Sequence, residues 1–224
     1  MKKIAAITVG QSPRTDMVSD IAPLLPGVEI LQFGALDGLT PAEIRREFGP
    51  DPGEAPVTTK LADGTPVEFS DRKILGRLQD CITRAEAAGA SAILMLCTGA
   101  FPAFRSQIPV LQPTALVRAF VTGTLRGRRL GVLSPAAGKM QAAHIFWHDE
   151  GAGLIACAAA LPYGDMDTVL AAAESLKAQG AAVILLDCMG FSRAQKRLVA
   201  EATGLEVILP RTVSARALAE ILDV

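Results

Sequence analysis

The sequence has 224 residues, enough for one large domain or two small ones. Half of the residues are hydrophobic, 4% are aromatic, and the formal net charge is -1. This balance excludes a strong field for nucleic acid or anionic membranes, and it leaves few aromatic side chains for stacking on single-stranded nucleic acid.

The first half of the chain has the pattern of an α/β unit. The predicted elements, in chain order, are a strand over 4–9, a helix over 12–25, a strand over 28–33, a helix over 71–88 and a strand that ends at Cys97. Ser12 followed by Pro13 predicts a helix N-cap with proline at the first helical position. Asp71 is the predicted cap of the later helix.

Residues 37–70 interrupt this pattern because they are polar and rich in proline and glycine. Two short β-prone runs, 57–61 and 65–69, flank Asp63-Gly64, which is a strong hairpin-turn dipeptide. The sequence therefore predicts an inserted β-hairpin, whose role is left open between a lid and a dimer contact.

The second half alternates in the same way. Its predicted elements are helices over 113–125, 136–148, 165–179, 192–203 and 212–222, and strands over 129–133, 154–161 and 206–209, with a further strand that ends at Cys188. The predicted fold is α/β, with two pseudo-symmetric flavodoxin-like halves that each hold a doubly wound parallel sheet. The first half is residues 1–112 with the C-terminal helix 210–224, and the second is 113–209.

Two segments of the chain repeat each other. Residues 89–99 and 180–190 are both apolar runs that lead to a cysteine, and Cys97 and Cys188 are 91 residues apart, like Gly89 and Gly180. Ligands of parallel sheets bind at the carboxyl ends of the strands. We therefore expect both thiols to face one substrate across an interdomain cleft.

Two thiols on opposite faces of a carbon atom form an acid/base couple, in which one removes a proton and the other delivers one. A thiolate just past a strand and at the start of a helix would be favoured by the helix dipole. The alternative is that both cysteines are small buried hydrophobic residues.

Residues beside the strand ends are candidates for holding an anionic group of the substrate. These residues are Gln11, Ser12, Arg14, Thr98, Gly99, Ser134, Met189 and Gly190. Free backbone N–H groups and the Arg14 guanidinium suit a carboxylate or phosphate. Ser134 is the expected counterpart of the Gln11–Arg14 loop in the second half and could bind a carboxylate, although the sequence favours a plain turn serine.

His144 and His148 are spaced to face the same side of one helix, with Asp149 and Glu150 beside them. That spacing can bind zinc, but the sequence offers no third ligand, and no metal is predicted.

Several motifs resemble the AroM protein family over nearly the whole chain. They are Thr8–Asp16 (TVGQSPRTD), Leu36–Leu39 (LDGL), the hairpin with Leu61–Gly64, Cys97–Pro102 (CTGAFP) and Asp187–Phe191 (DCMGF). More distantly, the two-cysteine layout resembles the aspartate/glutamate racemase superfamily, with hydantoin racemases, maleate isomerases and arylmalonate decarboxylases. That resemblance implies cofactor-independent chemistry on small carboxylates by Cys97 and Cys188, and it is compatible with a homodimer.

The chain departs from the racemase pattern at three places. Thr98-Gly99 replaces the usual Asn-Thr, Met189-Gly190 replaces Thr-His, and Gln11-Ser12 replaces an acidic residue. Asp187 neighbours Cys188, but it should point to the opposite face of the sheet because strand side chains alternate. These departures weigh against glutamate racemization and not against the fold.

The sequence favours a cofactor-independent racemase- or isomerase-like enzyme, or a related decarboxylase, that acts on a small anionic carboxylate. The alternatives are a non-catalytic protein that binds or senses an anionic metabolite, and a metal-dependent hydrolase that uses His144 and His148. No partner nucleic acid or membrane is predicted. The apolar run 4–9 is too short for a signal peptide, so a cytoplasmic protein is expected.

Overall fold

The computed structural model describes residues 2–125, 127–149 and 155–224. The chain forms two compact units. The first comprises the chain up to Cys97, Phe101–Gln112 and Leu218–Val224, and the second comprises Thr98–Ala100 and Pro113–Ala217. The predicted division into 1–112 with 210–224 and 113–209 stays a prediction. In the structure, Leu218–Val224 at the end of the chain belongs to the first unit.

The first unit holds a parallel sheet and a separate hairpin. Its elements are β1 (Lys3–Thr8), α1 (Thr15–Ile21), β2 (Glu29–Gly34), α2 (Pro41–Phe48), β3 (Val57–Lys60), β4 (Pro66–Phe69), α3 (Leu75–Ala87), β5 (Ile93–Met95) and β6 (Val110–Leu111). The sheet has the order β2-β1-β5-β6 with all neighbours parallel. Strand β1 is buried along nearly its whole length, as an apolar strand covered on both faces must be.

The second unit repeats this plan. Its elements are α4 (Pro113–Leu125), β7 (Leu130–Ser134), α5 (Met140–Asp149), β8 (Ile155–Ala159), α6 (Met166–Ala178), β9 (Val183–Leu186), α7 (Arg193–Thr203), β10 (Glu206–Ile208) and most of α8 (Pro210–Leu222). Its parallel sheet has the order β10-β9-β7-β8. Numbered within their own unit, the strands of both sheets run 2-1-3-4, which confirms two flavodoxin-like halves.

The predicted hairpin is confirmed. Strands β3 and β4 pair antiparallel from Val57 opposite Phe69 to Lys60 opposite Pro66, and Gly64 in the turn has a φ of 86°. Leu61, Val67 and Phe69 are buried in the core of the first unit, together with residues of β1, β5 and α3. The hairpin is therefore packed into its unit rather than laid on the surface.

Three local predictions were wrong. Helix α1 begins at Thr15 rather than after Ser12, and its N-cap Arg14 makes no side-chain cap. Helix α3 begins at Leu75, with Ile74 rather than Asp71 at the N-cap. The insert also contains α2, which the sequence interpretation missed although Thr40 and Glu43 form a capping box there.

The remaining predicted elements agree with the structure to within a few residues. Ser192, where the sequence predicted the start of a helix, is the N-cap of α7 and exchanges hydrogen bonds with Gln195. The start of the strand predicted over 154–161 lies outside the described residues. No helix of the described chain is long and apolar enough to cross a membrane.

Candidate functional site

The strand order places a candidate crevice in each unit. The first and third strands of each sheet are neighbours, and the chain leaves them toward opposite edges. Ligands of such folds bind at this switch point, outside the carboxyl ends of the two strands. The residues that follow these ends are Gly10–Arg14 and Cys97–Gly99 in one half of the sequence, and Pro135–Ala136 and Asp187–Gly190 in the other.

Cys97 and Cys188 occupy equivalent positions in the two units. Each lies two residues beyond the third strand of its sheet, after Met95 and Leu186. Cys97 packs against the core that includes α3, and Cys188 packs against the core that includes α6. In each unit that helix precedes the third strand, so both thiols point to the same face of equivalent sheets. Both are half-buried.

The cysteines do not start helices, contrary to the prediction. Irregular chain follows Cys97, and α7 begins only at Arg193, five residues after Cys188. The helix dipole therefore falls off before it reaches either sulfur. At Cys188 a backbone group takes its place, because the N–H of Gly190 donates to the sulfur at 3.3 Å.

Arg211 holds the turn that carries Cys188. Its side chain is 1% exposed, and its Nε and Nη2 donate to the Met189 carbonyl at 3.1 and 2.7 Å. Gly190 is equally constrained, since a Cβ there would lie 2.9 Å from Cβ of Pro162 and 3.1 Å from the Tyr163 hydroxyl. The turn is thus fixed on both sides. No sequence signal marked Arg211.

Replacing Arg211 by lysine should loosen this turn. A lysine keeps the charge but cannot give the two directed contacts of a guanidinium, so we expect a loss of about 1–2 kcal/mol of unfolding free energy. Urea denaturation measures the loss, and faster alkylation of Cys188 reports the turn itself. The matched control is Arg197→Lys on the exposed side of α7, which should change neither. An unchanged Cys188 reactivity in Arg211→Lys would contradict this role.

Asp37 organises the loop after β1. Its carboxylate accepts from the backbone N–H and the hydroxyl of Ser12, both at 2.7 Å, and from the N–H of Gly34 at 2.8 Å. The Ser12 groups are therefore engaged and cannot cap α1. Gly10 is pressed against the hairpin, since a Cβ there would lie 2.5 Å from Thr59 Oγ1.

Gln11 and Arg14 also make internal contacts. The Gln11 amide donates to the carbonyls of Leu36 and Leu39 at 3.2 and 2.8 Å and accepts from the N–H of Ala62 at 3.0 Å. Arg14 is 5% exposed and binds the Asp16 carboxylate through two atoms, at 2.9 and 2.7 Å. These side chains shape the loop, and their contact with a substrate stays a prediction.

Ser134 corresponds to Thr8 rather than to the loop after β1. Ile7 pairs with Met95, and Leu133 pairs with the equivalent Leu186, so the next residues align. Both are buried and close the following turn: Thr8 Oγ1 accepts from the Gly10 N–H, and the Ser134 hydroxyl donates to the Ala136 carbonyl.

The carbonyls of Thr98 and Gly99 are held by one hydroxyl. Thr114, in the first turn of α4, donates from Oγ1 at 2.6 Å to Thr98 and at 3.3 Å to Gly99. This contact fixes the peptides directly after Cys97. The Thr98 side chain and the Gly99 backbone are partly buried, and their predicted role in substrate binding stays a prediction.

Asp187 faces away from Cys188, as alternation predicts. Val183 and Leu185 share its side of β9 and pack with Trp147 and Cys157. Burial raises the pKa of Asp187 to about 6, against smaller opposing effects of the Trp147 N–H and the Lys139 ammonium. The indole N–H has no hydrogen-bonded acceptor among the described residues, so its effect is electrostatic rather than a formed hydrogen bond.

Asp187 should make stability depend on pH. Its folded pKa of about 6 lies above the ordinary value of 3.8, so the native state binds the proton more tightly than the unfolded state. Stability contributed by the protonated carboxyl is then lost as pH rises from about 4 to about 6. Against Asp187→Asn, the wild type should lose about 2 kcal/mol across this window, measured by urea denaturation at each pH. Glu174→Gln, exposed on α6, is the control, and parallel wild-type and Asp187→Asn curves would contradict the burial of a charge here.

The other two cysteines do not readily ionise to thiolates. Burial raises the pKa of Cys81 in α3 to about 11. Burial, and then the Asp187 charge, raises the pKa of Cys157 in β8. Neither thiol lies at the carboxyl end of a strand, so they serve as internal standards for the reactivity of Cys97 and Cys188.

Among the residues that the structure describes, His144 and His148 do not form part of a metal centre. The rings of His144 and His148 are nearly parallel with centroids 6.5 Å apart. Within the ranges that the structure describes, no group of three or more His, Cys, Asp or Glu side chains could hold a metal ion. The Asp149 side chain and Glu150, which the sequence placed beside the histidines, lie outside those ranges.

Comparisons with known proteins support the racemase-like fold. The family model described as AroM protein matches residues 4–222. The chain is similar to Picrophilus torridus aspartate racemase, with 15% identity, a TM-score of 0.59, and coverage of 100% of this chain and 95% of that one. It is also similar to a Nocardia farcinica maleate cis-trans isomerase bound to TRIS, with 14% identity, a TM-score of 0.66, and coverage of 100% of this chain and 93% of that one. A third similar structure is an unliganded arylmalonate decarboxylase, with 14% identity, a TM-score of 0.62, and coverage of 99% of this chain and 92% of that one. A comparison with curated protein sequences finds no match.

Proposed function

The chain belongs to the AroM protein family, and we propose that it is a cofactor-independent enzyme of the racemase and isomerase type, or a related decarboxylase, acting on a small carboxylate. The observation that carries this proposal is the equivalent placement of Cys97 and Cys188. Each lies two residues past the third strand of its sheet, on the face of the helix that precedes that strand. Two thiols that were buried by chance would not be expected to occupy equivalent positions in the two units.

The proposed chemistry needs one thiolate and one thiol. The thiolate takes the proton from the carbon next to the substrate carboxylate, and the electron pair of the C–H bond moves into an enediolate. The opposite thiol then gives its proton to the other face of that carbon. The product has inverted configuration, and the two sulfurs have exchanged protonation states.

The turn around Cys188 supports a charged sulfur. The Gly190 N–H contact favours the thiolate, since hydrogen bonds to the charged form stabilise it.

We propose that four loops bind the anionic group of the substrate: Gln11–Arg14, Thr98–Gly99, Ser134–Ala136 and Met189–Gly190. The side chains of Gln11, Ser12, Arg14 and Ser134 make internal contacts, and the backbone N–H groups of Ser12, Arg14 and Gly190 are engaged as well. The proposed donors are therefore the backbone N–H groups of Gln11, Thr98, Ala136 and Met189.

Alkylation read by peptide mass spectrometry tests for an activated thiol without a substrate. We expect Cys97 or Cys188 to react well below the ordinary thiol pKa of about 8.5. Cys81 and Cys157, whose pKa values are raised, should stay unreactive. Small carboxylates incubated with the protein in deuterated water should then gain deuterium at the carbon next to the carboxylate. Reaction of both thiols at high pH alone would overturn the proposal.

The second candidate is a protein that binds an anionic metabolite without turnover. One observation favours it: the side chains best suited to tune a thiol or hold a carboxylate, Ser12 and Arg14, already bind Asp37 and Asp16. A ligand that binds equally to wild type and to the Cys97→Ser and Cys188→Ser variants, without deuterium exchange, would establish this candidate. A homodimer and a cytoplasmic location remain predictions.

A further inference from the structure

A second cavity lies within the second unit. It has a volume of about 710 Å³ and is bounded by α4, α7, α8 and the starts of β9 and β10. Its walls are largely apolar and include Leu116, Phe120, Val207, Ile208 and Val213. The lining contains none of the residues assigned to the candidate site. Small-molecule sites typically enclose about 300–1,000 Å³ and are mostly apolar, so the cavity has the size and lining of a ligand site.

The charges of the lining are not balanced. Arg128 is paired with Glu206, with Nη2 and Oε2 3.0 Å apart. Lys196 of α7 and Arg216 of α8 also line the cavity, and Glu206 is the one acidic residue among the described lining. One pair therefore neutralises itself, and the other two cations leave an excess of positive charge on an apolar surface.

Lys196 is held in an unfavourable environment. It is half-buried, and burial lowers its pKa, as do the positive charges of Arg216 and then Arg193. Bringing cations together beside apolar walls costs free energy unless an anion joins them. Phe120 of α4, which also lines the cavity, is 45% exposed although it is a large aromatic residue. The lining of this cavity therefore combines an apolar surface with cationic side chains.

We propose that this cavity binds an amphipathic organic anion, a molecule with an apolar body and one carboxylate head. The body would pack on Leu116, Phe120 and Val213, and the head would lie between Lys196 and Arg216. Charge complementarity selects this occupant, because a neutral apolar molecule would leave both cations unmatched. The site is independent of the function proposed for Cys97 and Cys188.

Calorimetric titration of the full chain with decanoate and with decanol tests the site. We expect decanoate to bind with one-to-one stoichiometry, at least about tenfold more tightly than decanol. Lys196→Met and Arg216→Met should each weaken decanoate about three- to tenfold and leave decanol unchanged. Arg197→Met is the matched control, since Arg197 is an exposed cation of α7 that pairs with Glu201 and does not line the cavity.

Four results would overturn the proposal. Decanol could bind as tightly as decanoate, or Lys196→Met could weaken decanoate no more than Arg197→Met does. Alternatively, light scattering could show a dimer that Phe120→Asp converts to a monomer, which would make this face an interface between copies of the chain. Decanoate held at the proposed catalytic site instead would respond to Cys97→Ser or Cys188→Ser and not to Lys196→Met.

Discussion

Replacement of either Cys97 or Cys188 by serine should lower the interconversion of substrate enantiomers about a hundred- to ten-thousandfold. A positioned acid or base contributes about 10²–10⁴ in rate. A serine hydroxyl fills a similar volume but does not ionise near neutral pH, so one of the two proton transfers is lost. Chiral chromatography of the reaction mixture measures the interconversion.

The two variants should also differ from each other. Each retains one thiol and can still remove and return a proton on a single face of the carbon. Exchange with deuterated water should therefore persist for one enantiomer in Cys97→Ser and for the opposite one in Cys188→Ser. Cys157→Ser is the control and should behave as wild type. Full interconversion by either site variant would rule out the two-thiol mechanism.

Gly34→Ala should destabilise the protein by about 3 kcal/mol. A Cβ at this position would lie 2.4 Å from Asp37 Oδ1, 2.6 Å from the Ser12 nitrogen and 2.7 Å from the Gly10 carbonyl oxygen. Two of these atoms belong to the backbone and cannot rotate away, so overpacking must move the loop after β1 or the end of β2. Urea denaturation measures the loss.

A second glycine provides the matched control. Gly123 lies within α4 and is exposed, and a Cβ there would meet nothing within 4 Å. Gly123→Ala should therefore raise the unfolding free energy by about 0.5–1 kcal/mol through helix propensity alone. If Gly34→Ala were as stable as Gly123→Ala, the packing of Gly10, Ser12 and Asp37 around Gly34 would be wrong.

The strands and the repeat were predictable because their signals are local. An apolar run such as 183–186 is unusual outside a buried strand, and the repeat provides the same signal a second time at 92–95. The error at Ser12 has a long-range cause. The serine follows the rules of an N-cap, but Asp37 lies 25 residues away and takes its hydroxyl and its N–H. Helix α2 was missed for another reason, since its Thr40–Glu43 signature stands within a polar, proline-rich segment.

The residues of the candidate site also fall into those that local sequence signals located and those that they did not. Both cysteines could be located because strand ends and strand faces follow from the chain itself. Arg211 could not, because its partner Met189 is 22 residues away and nothing in α8 marks it as buried. The raised pKa of Asp187 depends on burial beside Trp147, which belongs to α5 on a distant part of the chain. Asp37 is the intermediate case, since it stands in the Leu36–Leu39 segment of the family resemblance.

The hairpin insert is a fixed wall of the first unit rather than a moving lid. To swing away it would have to withdraw Leu61, Val67 and Phe69 from the core. Exposing each such side chain costs about 2 kcal/mol, or about 6 kcal/mol together. At equilibrium about one molecule in twenty thousand would be open at any moment. Ligand entry and departure on this side would therefore proceed with the hairpin in place, at rates that its opening does not set.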